Sequence, residues 1–207
     1  MSSPTLLETI RLVDGRAPLL PYHQERVDRS RRMYYAKAPA FRLSRVLEEL
    51  ILPQQGIQKL RLVYGAELHD HTVAPYEIRP VGSLRVIGAD DLHYGRKYAD
   101  RNRINELFQR RGDCDDVLIV QRGHVTDTSY ANVAFFDGGQ WYTPAWPLLA
   151  GARRASLIDR GVIRPSIIRL RDLHHFRCVR LLNAMMEWEQ GPTLPVTSIY
   201  QMGSLGG

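Results

Sequence analysis

Lysine is almost missing from this sequence. Of 28 basic residues in the 207-residue chain only three are lysine, Lys37, Lys59 and Lys97, and all the others are arginine. Cysteine is as sparse: Cys114 and Cys178 cannot build a disulfide framework, and no C-x-x-C pair suggests a zinc or dithiol centre. No run approaches the roughly eighteen uninterrupted apolar residues that a membrane span needs. The opening Met1-Ser2-Ser3-Pro4-Thr5 lacks the basic-then-apolar pattern of a secretory signal. Walker-type loops, G-x-G-x-x-G, H-E-x-x-H and G-x-S-x-G are absent as well. His69, His71 and His93 have no carboxylate at a recurring ligand spacing, so no metal site is expected. These absences leave a cytoplasmic globular protein with no membrane partner as the expectation.

What is present has ordinary globular proportions, 44% hydrophobic and 24% charged, with a net charge of +6. Arginine suits phosphate, so an arginine-rich nucleic-acid-binding module is one reading of that charge. The arginines are scattered from Arg11 to Arg180 rather than gathered in a tract, which favours solvated faces over a nucleic-acid interface.

The hydrophobic pattern predicts a strand over Leu6–Val13 with a hairpin turn at Asp14-Gly15-Arg16, then helices over Tyr22–Tyr35 and Phe41–Ile51. Strands follow at Gln58–Tyr64, Thr72–Arg79 and Ser83–Ile87. Gly88-Ala89-Asp90-Asp91 reads as a linker. Beyond it the pattern gives a helix from Asn102, strands at Asp115–Val120, Ala131–Phe136 and Gln140–Pro144, a helix over Ala152–Arg160, and strands near Ile163–Ile168 and Val179–Asn183. The expected organisation is mixed α/β in two domains, residues 1–87 and 88–207.

Four separated segments carry the chemistry: Tyr22-His23-Gln24-Glu25-Arg26; Gly95-Arg96-Lys97-Tyr98-Ala99-Asp100-Arg101; Gly123 to Val133, with Val125-Thr126-Asp127-Thr128-Ser129 and Asn132; and Thr143-Pro144 running to Leu148-Leu149-Ala150-Gly151-Ala152-Arg153-Arg154. With the late Leu182-Asn183-Ala184-Met185 they follow, in order, the pattern H-x-x-R, K-x-x-x-R, V-T-E-x-S-x-x-N, T-P…L-L-P-G-x-x-R and a final N-S/A strand end. In this the chain resembles the class IV aminotransferases, the fold-type-IV pyridoxal-phosphate enzymes that include aminodeoxychorismate lyase and the branched-chain and D-amino-acid transaminases. The match spans nearly the whole chain, from Leu6 to about Pro195.

The resemblance implies a two-domain fold like that of D-amino-acid aminotransferase, pyridoxal 5′-phosphate as cofactor, a small amino-group substrate and a homodimer. It places Lys97 at the position of the Schiff-base lysine, which forms the internal aldimine and then shuttles a proton. Read alone, Lys97 is equally a surface lysine beside Arg96. Asp127 stands where the family usually has glutamate, the partner of the pyridine nitrogen, with a reach shorter by roughly 1.5 Å; read alone it fits an Asx turn. Arg26, the backbone at Ala152 and Arg153, and the turn at Ala184 and Met185 match the phosphate-binding positions. The hydroxyl residue common after that glycine is not present here. Tyr64 replaces an arginine and either lines the substrate pocket or caps its strand. The chain begins near Glu8, the end of a longer leading loop in the family, so the resemblance is to a short variant. Lys97 to Arg101 leans towards aminodeoxychorismate lyase, which eliminates pyruvate to give p-aminobenzoate; transamination is the alternative.

Overall fold

The computed structural model describes residues 3–201. It is a mixed α/β structure that divides into two compact units. One comprises the chain up to Ile78 together with Arg96–Asp100; the other comprises Arg79–Gly95 and the chain from Arg101 onward.

In the first unit, β1 (Leu6–Val13) is followed by α1 (Leu20–Tyr34), α2 (Leu43–Glu49), β2 (Ile57–Tyr64) and β3 (Leu68–Pro75), the strands forming an antiparallel sheet in the order β1-β2-β3. Directly opposed residues share a face. Leu6, Glu8 and Ile10 of β1 stand opposite Tyr64, Leu62 and Leu60 of β2, and the apolar members join Val27 of α1 and Leu43 of α2 in one buried cluster. Helix α1 starts with Pro21 in its first turn, where a missing N–H costs nothing, and ends with Arg31 and Arg32 beside its free carbonyls. Asp14 and Gly15 both have positive φ and Arg16 N–H donates to Val13 O at 2.9 Å, a tight turn of the kind expected. It closes no hairpin, however: the chain goes on into α1, and β1 takes β2 as its partner. Strand β3 lies four residues earlier than the pattern predicts. It is an exposed edge strand with no apolar alternation to mark it, and its place is set by its register with β2.

In the second unit the strands are β4 (Leu84–Gly88), β5 (Asp116–Gln121), β6 (His124–Thr128), β7 (Asn132–Phe136), β8 (Trp141–Pro144), β9 (Arg164–Ser166), β10 (Cys178–Leu182), β11 (Thr193–Pro195) and β12 (Ile199–Tyr200). They are ordered β11-β10-β7-β6-β5-β4-β12, with β8 between β7 and β9. Helix α3 spans Asn102–Gln109 and α4 spans Ala152–Asp159. The β5–β7 hydrophobic residues, among them Leu118, Val120, Val133 and Phe135, form the main core with Val179 and Leu181 of β10. Strand β6 escapes the sequence pattern because Thr126, Asp127 and Thr128 are polar yet all buried.

The arginines are not simply a solvated coat. Arg11, Arg26, Arg31, Arg85, Arg153 and Arg154 are buried. Several are cross-braces for loops: Arg31 donates to the carbonyls of Gly65, Ala66 and Pro39, and Arg154 to that of Pro144. Five donors in a rigid fork let one guanidinium satisfy several carbonyls at once, which the lysine ammonium does less well. Among the described residues, no helix is long and apolar enough to cross a membrane, and no group of three or more His, Cys, Asp or Glu could hold a metal ion.

Candidate active site

The first unit holds Lys97, Arg26 and Tyr64. Residues 97–99 extend the edge of the sheet: Leu7 N–H donates to Lys97 O at 2.8 Å and Ala99 N–H to Thr5 O at 2.9 Å. The Tyr34 and Tyr98 hydroxyls meet at 2.8 Å and tie this stretch to α1. The half-buried Lys97 therefore sits on a segment fixed at both flanks, and its positive charge is felt at His23.

Glu8 occupies the helix-facing side of β1 among Leu6, Ile10 and Leu12, an unfavourable place for a charge unless it is paired. Its partners come from one face of α1. Arg26 donates through Nε to Oε1 at 2.9 Å and through Nη2 to Oε2 at 2.5 Å, a bidentate pair. His23, one turn earlier, lies with Nδ1 at 2.6 Å from Oε2. Burial alone would raise the Glu8 carboxyl, but the Arg26 guanidinium and the His23 hydrogen bond hold it down at about 2. Burial lowers the His23 pKa despite Glu8. An ionised Glu8 can only accept, so a neutral His23 carries its proton on Nδ1.

The spacing His23-x-x-Arg26 on a helix is legible in the sequence, and so is an acid on the apolar face of a strand. That Glu8 is their common partner is not. Tyr64 is 1% exposed, stacks on Phe41 with ring centroids 5.3 Å apart, and belongs to the core cluster of this unit.

The second unit holds Asp127, Ala152, Arg153, Ala184 and Met185. Asp127 is buried on β6. Its Oδ1 accepts from the Asn132 amide at 2.7 Å and its Oδ2 from Leu149 N–H at 2.9 Å. Burial raises its pKa to about 6, and the neutral donors around it only partly offset that. Asn132 donates also to Leu149 O at 2.8 Å and packs against the start of α4. A Cβ on Gly151 would stand 2.1 Å from Asn132 Oδ1, so only glycine fits where the helix begins. The Asp127–Asn132 pair thus fixes the turn that launches α4.

The backbone N–H groups of the first turn of α4 have no partner within the helix. Arg153 reaches from that turn to Glu187, Nη1 to Oε2 at 2.9 Å, and so joins α4 to the turn after β10. In that turn Met185 N–H donates to Asn183 Oδ1 at 2.8 Å, which engages one of the backbone donors expected to serve a phosphate. Asp127, the start of α4 and the 183–187 turn therefore form one connected assembly inside this unit.

Residues 91–199 match the family model for amino-transferase class IV. A protein of Haemophilus influenzae with no characterised activity is 35% identical over 183 residues, covering 87% of this chain and 97% of the relative. A crystal structure from Haemophilus somnus, provisionally assigned as a 4-amino-4-deoxychorismate lyase, is 32% identical with a TM-score of 0.80, covering 89% of this chain and 98% of that one. A hypothetical aminotransferase of Mycobacterium tuberculosis in its PLP-bound form shares the fold, at a TM-score of 0.76 and 18% identity, over 97% of this chain and 84% of that one. The chain belongs to the amino-transferase class IV family, the pyridoxal-phosphate enzymes of fold type IV.

Proposed function

We propose that this protein binds pyridoxal 5′-phosphate, with Lys97 as the attachment amine, and acts as an aminodeoxychorismate-lyase-like enzyme that releases pyruvate and an arylamine. The single observation that supports the lyase reading most is the similarity, 32% over nearly the whole of both chains, to the Haemophilus somnus structure assigned to that activity. The K-x-x-D-R run at Lys97 to Arg101 leans the same way. The family reading carries with it a homodimer.

The residues present fit the cofactor chemically. Arg153 Nε, at the start of α4, is a buried donor with no acceptor among the described residues, as expected beside an anion site. Asp127 keeps acceptor capacity beyond the donors already on it, since a carboxylate offers about four lone-pair sites. When bound, pyridoxal phosphate supplies an aldehyde for amines and a ring that accepts electrons.

The chain's own groups have separable tasks. Lys97 supplies the primary amine and afterwards, as a free base, moves a proton at its Nζ. Arg26 is a cation whose orientation Glu8 has already fixed, so holding phosphate costs it little side-chain entropy. Asp127 is the residue that would face the pyridine nitrogen. A protonated ring nitrogen there would favour the ionised carboxylate and draw its pKa down.

Product analysis tests the reading. The enzyme incubated with 4-amino-4-deoxychorismate is expected to release pyruvate and p-aminobenzoate in equal amounts. Slow or absent release, with a ketoacid formed from an added amino acid and the cofactor left in its aminated form, would replace lyase by transaminase.

A further inference from the structure

We infer that the Arg153 side chain, and not only its backbone, is an anion ligand of this protein, a guanidinium standing in for the hydroxyl that the sequence lacks at the start of α4. The inference rests on the reading of this region as the phosphate end of the site.

The position carries it. Arg153 is the second residue of α4, 4% exposed, in the first turn of the helix with its open backbone donors, and it is paired with Glu187 of the 183–187 turn. Its Nη1 is held by Glu187 at 2.9 Å, which fixes the plane of the guanidinium. Its Nε is buried and has no acceptor among the described residues. Leaving a buried donor of a charged group unmet is costly, and such atoms mark the place of an ordered partner. The partner must be an acceptor, compact, and favoured by a helix N-terminus, which describes a phosphate monoester or another tetrahedral oxyanion.

Glu187 is 41% exposed, so its charge is screened by water while it still orients Arg153. Arg154, the next residue, is turned to another task, its Nε donating to Thr143 Oγ1 and its Nη2 to Pro144 O. Gly151 and Asn132 fix the backbone that carries Arg153, so the side chain works from a rigid base.

The test uses the cofactor-free protein and inorganic phosphate at low ionic strength, read by thermal shift, and then compares pyridoxal phosphate with pyridoxal by visible titration. Wild-type protein is expected to be stabilised by phosphate. In Arg153→Met, which keeps the length of the side chain but has no donor, the phosphate affinity should fall about tenfold or more, the loss of one charge-assisted hydrogen bond. Arg153→Lys, which keeps the charge without the fork, should lie between the two. Pyridoxal phosphate should weaken by the same factor while pyridoxal, which lacks the phosphate, is unchanged. Unaltered phosphate affinity in both variants, no stabilisation of the wild type by phosphate, or an equal loss for pyridoxal phosphate and pyridoxal would overturn the inference. Because the first measurement needs neither the cofactor nor Lys97, it distinguishes a failure here from a failure of the enzyme reading.

Discussion

Each unit buries a carboxylate among its candidate site residues, and the two are perturbed in opposite directions. Glu8 lies against a guanidinium and an imidazole and is held at about 2; Asp127 lies against an amide and backbone N–H groups and is pushed up to about 6. Burial alone would raise both. What differs is whether a full positive charge touches the group. The first unit has closed its electrostatics internally, and Arg26 is pre-set as a fixed cation. The second has kept Asp127 short of a cation in hydrogen-bond contact, as a site should if the missing positive charge arrives with a ligand.

The largest expected effect comes from breaking the closed pair. Glu8→Ala leaves Arg26 buried without its counter-charge and should cost about 3–5 kcal/mol in urea unfolding of the cofactor-free protein. Adding Arg26→Met should recover much of that loss, since a buried ion pair is weak net support compared with a packed apolar pair. Loss of less than about 1 kcal/mol in Glu8→Ala would mean that the network is open to water.

The pH dependence of stability separates the two carboxylates. Asp127 has its pKa raised from 3.8 to about 6, so its contribution is fully present below pH 3.8 and disappears as pH rises through 6. The loss is about 3 kcal/mol by linkage. Glu8 is lowered from 4.5 to about 2, so its contribution is present above pH 4.5 and fades as pH falls through 2. His23, whose pKa is lowered, acts the opposite way in the same window, so the Asp127 decline is read as the difference between the urea midpoints of cofactor-free wild type and Asp127→Asn, which should open as pH rises through 6 and leave the acid limb untouched. Bound cofactor should shrink that difference, if a pyridinium supplies the charge.

Much of this architecture is legible in the amino-acid sequence. Strand β1 and helices α1 and α4 announce themselves by periodicity, by Pro21 and by Gly151. Lys97 stands out because so little lysine competes with it. The remainder depends on contacts that no local pattern encodes. The Glu8–Arg26 pair joins positions 18 residues apart across a strand and a helix. Strand β3 takes its place from its partner's register, and β6 buries three polar residues whose partners lie elsewhere. The sequence marks Arg153 through its backbone alone, and the part played by its side chain shows only in its burial and its pairing with Glu187. Asp127 is visible within Val125-Thr126-Asp127-Thr128-Ser129, but its second task, holding through Asn132 the turn that starts α4, is not.

The visible spectrum of the protein mixed with pyridoxal phosphate bears most directly on the assignment. A yellow band is expected that borohydride bleaches while it fixes the cofactor's mass on the peptide containing Lys97, with neither band nor mass in Lys97→Ala. A colourless protein that fails to take up the cofactor, or a label on Lys37 or Lys59 instead, would contradict it.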